Sequence, residues 1–342
     1  MRVADLTKQL KTGKVPPLVL LLGEETALQQ EALAALAALI PEDQQTMNMA
    51  RYDMRQTPVG VALDDATSQP FFGDLREVVI TQPYFLTGET GAGKIDHDLA
   101  GLERYFKDPA PSTVMVIVAP YPKLDRRKKL TTALVKNSVT VDAQLMKSGE
   151  ATAAINRELK KQGLALTRDG MAAFTQRTNA NYSVMMHELP KLELYAQNGG
   201  ALDEQAVSAL VPRQLTDRVF DMVNAVVRRR ADVALAIYRD LLLQKEEPIK
   251  LNSLLLSQFR LLLQVQILMR KGYDQGGIAA ALKAAPFRIE MAMRESRGVE
   301  DAALRAAYLG LVDTEAAMKT GRIDKELAFE LFVLKYCGQH RS

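Results

Sequence analysis

The spacing of apolar residues changes character along the chain, and the changes lay out its organisation. Residues 18–22 (Leu-Val-Leu-Leu-Leu) form a continuous apolar run closed by Gly23, and from Thr26 the apolar positions recur as Leu28, Ala32, Leu36 and Leu39. An apolar run followed by a helical stripe predicts a buried strand, a turn and a helix. Residues 78–81 and 114–119 repeat the short-strand signature, 139–141 gives a weaker one, and helical patterns at 58–66 and 98–106 fall between them. Such alternation predicts an α/β domain over residues 1–147, with a mostly parallel sheet covered by helices.

From Ser148 onward every pattern is helical. Short stripes at 149–161, 167–178, 183–196 and 203–211 are separated by Gly163, Asn179-Ala180-Asn181 and Gly199-Gly200, and predict a small bundle over residues 148–212. After Pro212 the helices lengthen: 216–229, 231–245, 248–271, 275–283, 286–297, 300–319 and 324–337, with Pro248, Gly272 and Pro286 as punctuation. They predict a compact all-α domain over residues 213–342. Its stripe Leu254, Leu255, Phe259, Leu262, Leu263, Ile267 is too wide for an edge helix. A central place in the bundle or packing against another subunit would each account for that width.

Composition narrows the classes without naming a function. Of 342 residues 47% are apolar and 25% charged, ordinary values for a folded globular chain. A formal charge of +3 leaves any nucleic-acid contact to local patches. The single Cys337 cannot form an internal disulfide and sits in an apolar helical pattern, which suits packing in a reducing compartment. No apolar run reaches the length that crosses a bilayer, and residues 1–10 alternate charged and apolar, unlike a signal peptide. A cytoplasmic protein with no membrane partner is expected.

Catalytic signals are thin. In an α/β sheet the turn after the first strand is where phosphate is bound, and here it reads Gly23-Glu24-Glu25-Thr26, with two carboxylates and no lysine. Gly88-Glu89-Thr90-Gly91-Ala92-Gly93-Lys94 fits the glycine and lysine spacing of a Walker A loop, but Ile95 follows where Ser or Thr would hold magnesium. It reads as a solvated connection. His97, His187 and His340 are scattered, no metal-ligand cluster is present, and Lys319-Thr320-Gly321 has no Ser-x-x-Lys partner. The chain is expected to be non-catalytic, with no cofactor.

Two stretches carry interaction signals instead. Residues 121–130 follow the 114–119 strand at its carboxyl end and place Lys123, Arg126, Arg127, Lys128 and Lys129 within seven residues. They read either as a solvated helix start or as candidate contacts to phosphate or a neighbouring subunit. Residues 68–73 read Ser-Gln-Pro-Phe-Phe-Gly. Adjacent side chains point in different directions in either a helix or a strand, so one of Phe71 and Phe72 must look away from its own core. That ring either folds under a neighbouring element or anchors in a partner's pocket.

Over nearly its full length the sequence resembles the delta subunit of the bacterial DNA polymerase III clamp loader. The resemblance rests on residues 20–25 (Leu-Leu-Leu-Gly-Glu-Glu), 123–130 (Lys-Leu-Asp-Arg-Arg-Lys-Lys-Leu), Glu188-Leu189 with Lys191-Leu192 and Tyr195, 258–263 (Gln-Phe-Arg-Leu-Leu-Leu), and Lys319-Thr320-Gly321. It implies a RecA-like AAA+ first domain, a small helical lid domain and a helical collar domain that assembles with other clamp-loader subunits. It also implies no ATPase activity, and a hydrophobic pair on a short helix that enters the sliding clamp (beta subunit) and opens the ring onto primer-template DNA. Phe71 and Phe72 fall at that position, with Phe71 where relatives commonly carry leucine. Pro190 departs from the pattern and is expected to interrupt its helix. Two other readings compete: an ATPase using the Gly88 to Lys94 loop, and a helical adaptor outside replication with both rings packed inside.

Overall fold

In a computed structural model of the chain, residues 1–88, 95–213, 215–282, 284 and 286–338 are described. They form two compact units, Met1–Pro212 and Arg213–Ser342.

The first unit opens with α1 (Val3–Lys11), β1 (Leu18–Leu22), α2 (Thr26–Ala37), α3 (Glu42–Asn48), β2 (Met49–Asp53), α4 (Val59–Thr67) and β3 (Arg76–Thr81). It continues with α5 (Leu99–Lys107), β4 (Thr113–Ala119), α6 (Lys129–Asn137) and β5 (Val139–Asp142). The described strands make one five-stranded sheet in the order β2-β3-β4-β1-β5, parallel throughout. This is the parallel, helix-covered sheet expected from the alternating pattern, and it fits the RecA-like first domain that the resemblance implies. Its central strands read as unbroken apolar runs because both faces are covered. Leu18 and Leu20 of β1 join a core with α4, α5 and α6, while Val19 and Leu21 join the opposite core with α1 and α2.

Three elements depart from the expected pattern. β2 is a half-exposed edge strand, Met-Ala-Arg-Tyr-Asp, and α3 before it is mostly polar, so neither produces an apolar signature. α1 docks Val3, Leu6 and Leu10, and its charged outer face hides the helical spacing. Across the sheet's far edge, the N-terminal amine of Met1 donates to the Thr140 carbonyl of β5 at 2.7 Å.

The unit closes with α7 (Ser148–Lys161), α8 (Arg168–Arg177), α9 (Tyr182–Gln197) and α10 (Glu204–Leu210), which gather their own core around Ile155, Leu159, Phe174, Met185, Leu189 and Leu192. Contrary to expectation, α9 runs unbroken through Pro190.

The second unit is all helical: α11 (Leu215–Val227), α12 (Ala231–Leu243), α13 (Pro248–Arg270), α14 (Gln275–Leu282), α15 (Pro286–Ser296), α16 (Asp301–Lys319) and α17 (Lys325–Gly338). Also against expectation, α13 is long and apolar enough by length and composition to span a membrane. Here it is the spine of a core: Leu251, Leu255, Phe259, Leu262 and Val265 are buried. Two of its buried amides donate to neighbouring helices and loops, Asn252 Nδ2 to the Leu311 carbonyl at 3.2 Å and Gln266 Nε2 to the Val299 carbonyl at 2.7 Å, while the side-chain oxygens of Asn252, Gln258 and Gln266 find no partner among the described residues. Cys337 is half-buried beside that core, and burial pushes its thiol above the ordinary range.

Candidate functional site

α4 ends because its last turn runs into side chains that compete for its carbonyls. The Ser68 hydroxyl donates to the Asp64 carbonyl at 2.7 Å and the Thr67 hydroxyl to the Leu63 carbonyl at 3.0 Å. Pro70 then removes a backbone donor. The chain leaves the helix as a bent loop, not as the short helix implied by the family resemblance. On that loop Phe71 is 56% and Phe72 84% exposed, so both rings face solvent. They meet edge-to-face, with centroids 5.5 Å apart and planes at 75°. Aromatic pairs favour that arrangement by about 0.5–1.5 kcal/mol, so the two rings behave as one knob.

Beneath the knob the backbone is fixed. Asn48, the last residue of α3, is fully buried, and its side chain grips Phe71 at two points. Asn48 Nδ2 donates to the Phe71 carbonyl at 2.7 Å, and the Phe71 N–H donates to Asn48 Oδ1 at 2.6 Å. Phe72 follows with φ at +51°, a left-handed backbone that costs an L-residue about 1–2 kcal/mol. At Gly73 a Cβ would collide with the Gln44 side chain of α3. On the other flank Arg76 pairs with Asp65 of α4 and reaches the Gln69 carbonyl at 3.4 Å, while the Tyr52 hydroxyl donates to Asp65 at 3.0 Å. The far end of α4 is held by His97, whose Nδ1 accepts the Val59 N–H at 3.1 Å and whose Nε2 lies 2.9 Å from the Tyr84 hydroxyl. Burial, the largest influence, lowers the His97 pKa.

The turn after β1 has the opposite character. Gly23 lies with φ at +137° so tightly against the Ala143 backbone that any Cβ would collide with it. Glu24 is exposed, whereas Glu25 is 2% exposed and committed to protein donors. Its Oε1 accepts the Ser183 N–H at 2.9 Å and the Ser183 hydroxyl, and its Oε2 accepts the Met146 N–H at 3.3 Å. Ser183 Oγ in turn accepts the Ala27 N–H at 2.8 Å. The first turns of α2 and α9 therefore cap one another, each with a side chain from the other's start.

The basic cluster follows β4 at the carboxyl end of the sheet, whereas the aromatic loop enters β3 at the amino end. The two thus lie at opposite ends of strands about 20 Å long. Arg127 makes a two-pronged pair with Asp125, at 2.9 and 2.8 Å, and its backbone N–H donates as well. Those bonds hold the Asp125 carboxyl down to about 2. Lys128 Nζ donates to the Phe85 carbonyl at 2.9 Å as α6 begins. Lys123, Arg126 and Lys129 are exposed and make no ion pair among the described residues. The glycine-rich stretch lies outside the described residues except for Gly88, as does His340.

Comparison with known proteins bears on this arrangement as a whole. Residues 20–144 match the family model described as DNA polymerase III, delta subunit, and residues 216–336 match that of the DNA polymerase III delta subunit, C-terminal domain. The curated DNA polymerase III subunit delta of Bacillus subtilis (strain 168) is 36% identical over 334 residues, covering 97% of this chain and 96% of that protein. The solved structure of a Bacillus subtilis DNA clamp loader delta protein, also 36% identical, superposes with a TM-score of 0.70 over 98% of this chain and 100% of the other. Sheet, helical units and sequence agree from end to end, and the chain belongs to the DNA polymerase III delta subunit family.

Proposed function

We propose that this chain binds the ring-shaped sliding clamp through Phe71 and Phe72 and opens the ring for loading onto primed DNA. The observation that carries the proposal is the pair itself: two rings exposed to solvent at 56% and 84% on a backbone fixed from below. Exposed aromatics on rigid supports are the usual composition of binding hot spots, because little conformational freedom is lost on docking. The subunit works by differential affinity, holding the open form of the clamp more tightly than the closed form, and it makes or breaks no bond. Glu25 supports the non-catalytic reading, since the one buried side chain of the β1 turn is an anion already committed to three donors.

In this reading residues 1–147 carry the clamp contact, 148–212 act as the lid and 213–342 form the collar that joins the other clamp-loader subunits in the cytoplasm. Primer-template DNA is reached through Lys123, Arg126 and Lys129, whose charges are free to meet phosphates.

The test replaces both rings by alanine and measures binding to surface-immobilised clamp beside thermal unfolding. Each hot-spot ring is worth about 2 kcal/mol or more, roughly thirty-fold in affinity, and the two losses need not add. The thermal midpoint is expected to hold, since solvent-facing rings leave no cavity behind them. Unchanged clamp affinity in the folded double variant would remove the pair from the mechanism.

A further inference from the structure

Asn48 has no place in the family resemblance and no contact with solvent, yet it is the residue that fixes the aromatic pair. We infer that Asn48 is a positioning residue for clamp binding: its amide holds the Phe71 backbone in the docking-competent conformation before the clamp arrives. The inference rests on the clamp-anchor reading of Phe71 and Phe72.

An asparagine amide presents one donor and one acceptor side by side, and here both are used on a single residue, at 2.7 Å to the Phe71 carbonyl and 2.6 Å from the Phe71 N–H. The pairing fixes the peptides on both sides of Phe71, on a loop that makes no helix or strand of its own. Phe72 comes next in the left-handed region, a conformation that an aromatic L-residue leaves readily unless its neighbours hold it. With the bridge in place the two rings keep their 5.5 Å edge-to-face contact and stand clear of the domain. Without it the loop would relax toward ordinary backbone and the rings would spread over many orientations, of which one fits a pocket. Arg76 and Gln44 brace the loop's flanks, but Asn48 alone among the described side chains bonds the backbone of the ring-bearing residues.

The experiment uses full-length protein with Asn48→Ala and the isosteric Asn48→Asp, each alone and combined with Phe71→Ala/Phe72→Ala. Three quantities are read: hydrogen exchange at the Phe71 amide, association and dissociation rates on immobilised clamp, and the thermal midpoint. The Phe71 amide should be protected in the wild type, although the loop is exposed, and should exchange faster in Asn48→Ala; Asn48→Asp keeps an acceptor for that N–H but puts a second acceptor against the Phe71 carbonyl, so it opens the bridge from the carbonyl side. Clamp affinity should fall about tenfold, the factor expected if the competent conformation drops to about a tenth of the population, and the fall should appear in the association rate. In the background lacking both rings, Asn48→Ala should cost no further clamp affinity.

A purely structural asparagine would lower the midpoint and leave the association rate of folded protein unchanged, and that outcome overturns the inference. So does a Phe71 amide that exchanges at the same rate with and without the Asn48 side chain. If removing the rings costs affinity and removing the bridge costs none, the inference fails alone and the clamp-anchor reading stands. If removing the rings costs nothing, the reading fails and takes this role of Asn48 with it. Asn48→Asp keeps the side chain's shape, so the test survives if Asn48→Ala does not fold.

Discussion

The two ends of one sheet handle their loops in opposite ways. At the carboxyl end of β1 a charged residue, Glu25, is drawn inside and satisfied by backbone and hydroxyl donors. At the amino end of β3 two aromatic residues are pushed out, while an uncharged amide, Asn48, goes inside to hold them. Each loop reverses the usual sorting of residues between core and surface. The reversal is tolerated in both because every buried polar group involved finds a partner, so the free-energy cost of desolvation is offset locally. Polarity therefore says little about what such a residue does. What decides is whether its hydrogen-bonding groups are used up within the domain, as at Glu25, or its apolar surface is left over, as at Phe72.

Glu25→Ala should have the largest effect on stability. It strips three donors of their acceptor and uncaps α9 at Ser183, which should lower stability by about 3 kcal/mol or more, read from the denaturant midpoint. A drop under about 0.5 kcal/mol, the size of an ordinary surface change, would show that the buried carboxylate is not a strut and would break the comparison.

Glu77 of β3 sharpens it, being a carboxylate of the same sheet buried without the same provision. It is 3% exposed, and its Oε2 finds no hydrogen-bond partner among the described residues. Burial, opposed by nearby Arg51, raises its pKa from 4.5 to about 7. The folded chain thus holds this proton to higher pH than the unfolded chain. The site's contribution is fully present below pH 4.5, declines as pH rises toward 7 and is constant above that. At about 1.4 kcal/mol per pH unit between the two values, the decline comes to about 3 kcal/mol. Glu77→Gln should match the wild type at pH 4 and exceed it at pH 8 by up to that amount. Equal midpoints for the two proteins at both pH values would refute the assignment.

The aromatic pair gives the small stability effect that the comparison requires. Phe71→Ala/Phe72→Ala should leave stability within about 0.5 kcal/mol while clamp affinity collapses. A fall of about 3 kcal/mol would mean that the rings pack in solution. Smallest of all should be the basic cluster. Neutralising Lys123, Arg126 and Lys129 should leave stability unchanged and flatten the salt dependence of DNA binding by the assembled loader, by about 0.9 in log–log slope for each phosphate no longer neutralised. Neutralising Arg127 should do less, because Asp125 already balances its charge. An unaltered slope in the triple variant would leave the cluster as a solvated face.

The sequence made the sheet legible wherever strands were buried on both faces, as in β1, β4 and residues 78–80 of β3, because burial on two sides writes an unbroken apolar run. It hid β2 and α3, whose half-exposed faces alternate without a rule, and so it hid Asn48 as well. That at least one ring turns away from its own element's core followed from Phe71 and Phe72 being neighbours, but whether a neighbouring element covers it did not. That both rings are exposed did not follow, since it depends on the left-handed turn at Phe72. Glu25 was visible as an unsuitable phosphate ligand, but its actual partner could not be read, because local patterns carry no information about contacts made so far along the chain. Of the five basic residues, the engaged pair, Arg127 and Lys128, looked the same in sequence as the three free ones.

The distance between Glu25 and Ser183 also has a consequence in time. They are 158 residues apart, and at ribosomal rates of about 5–20 residues per second roughly 8–30 seconds separate their synthesis. Every strand of the sheet has been made by Asp142, well before α9 exists. Between Asp142 and Ser183, about 40 residues or roughly 2–8 seconds at those rates, the sheet is on the ribosome with Glu25 Oε1 and the start of α2 still bonded to water. The turn after β1 is then a hydrated, open notch in a nascent chain, and it closes when Ser183 arrives.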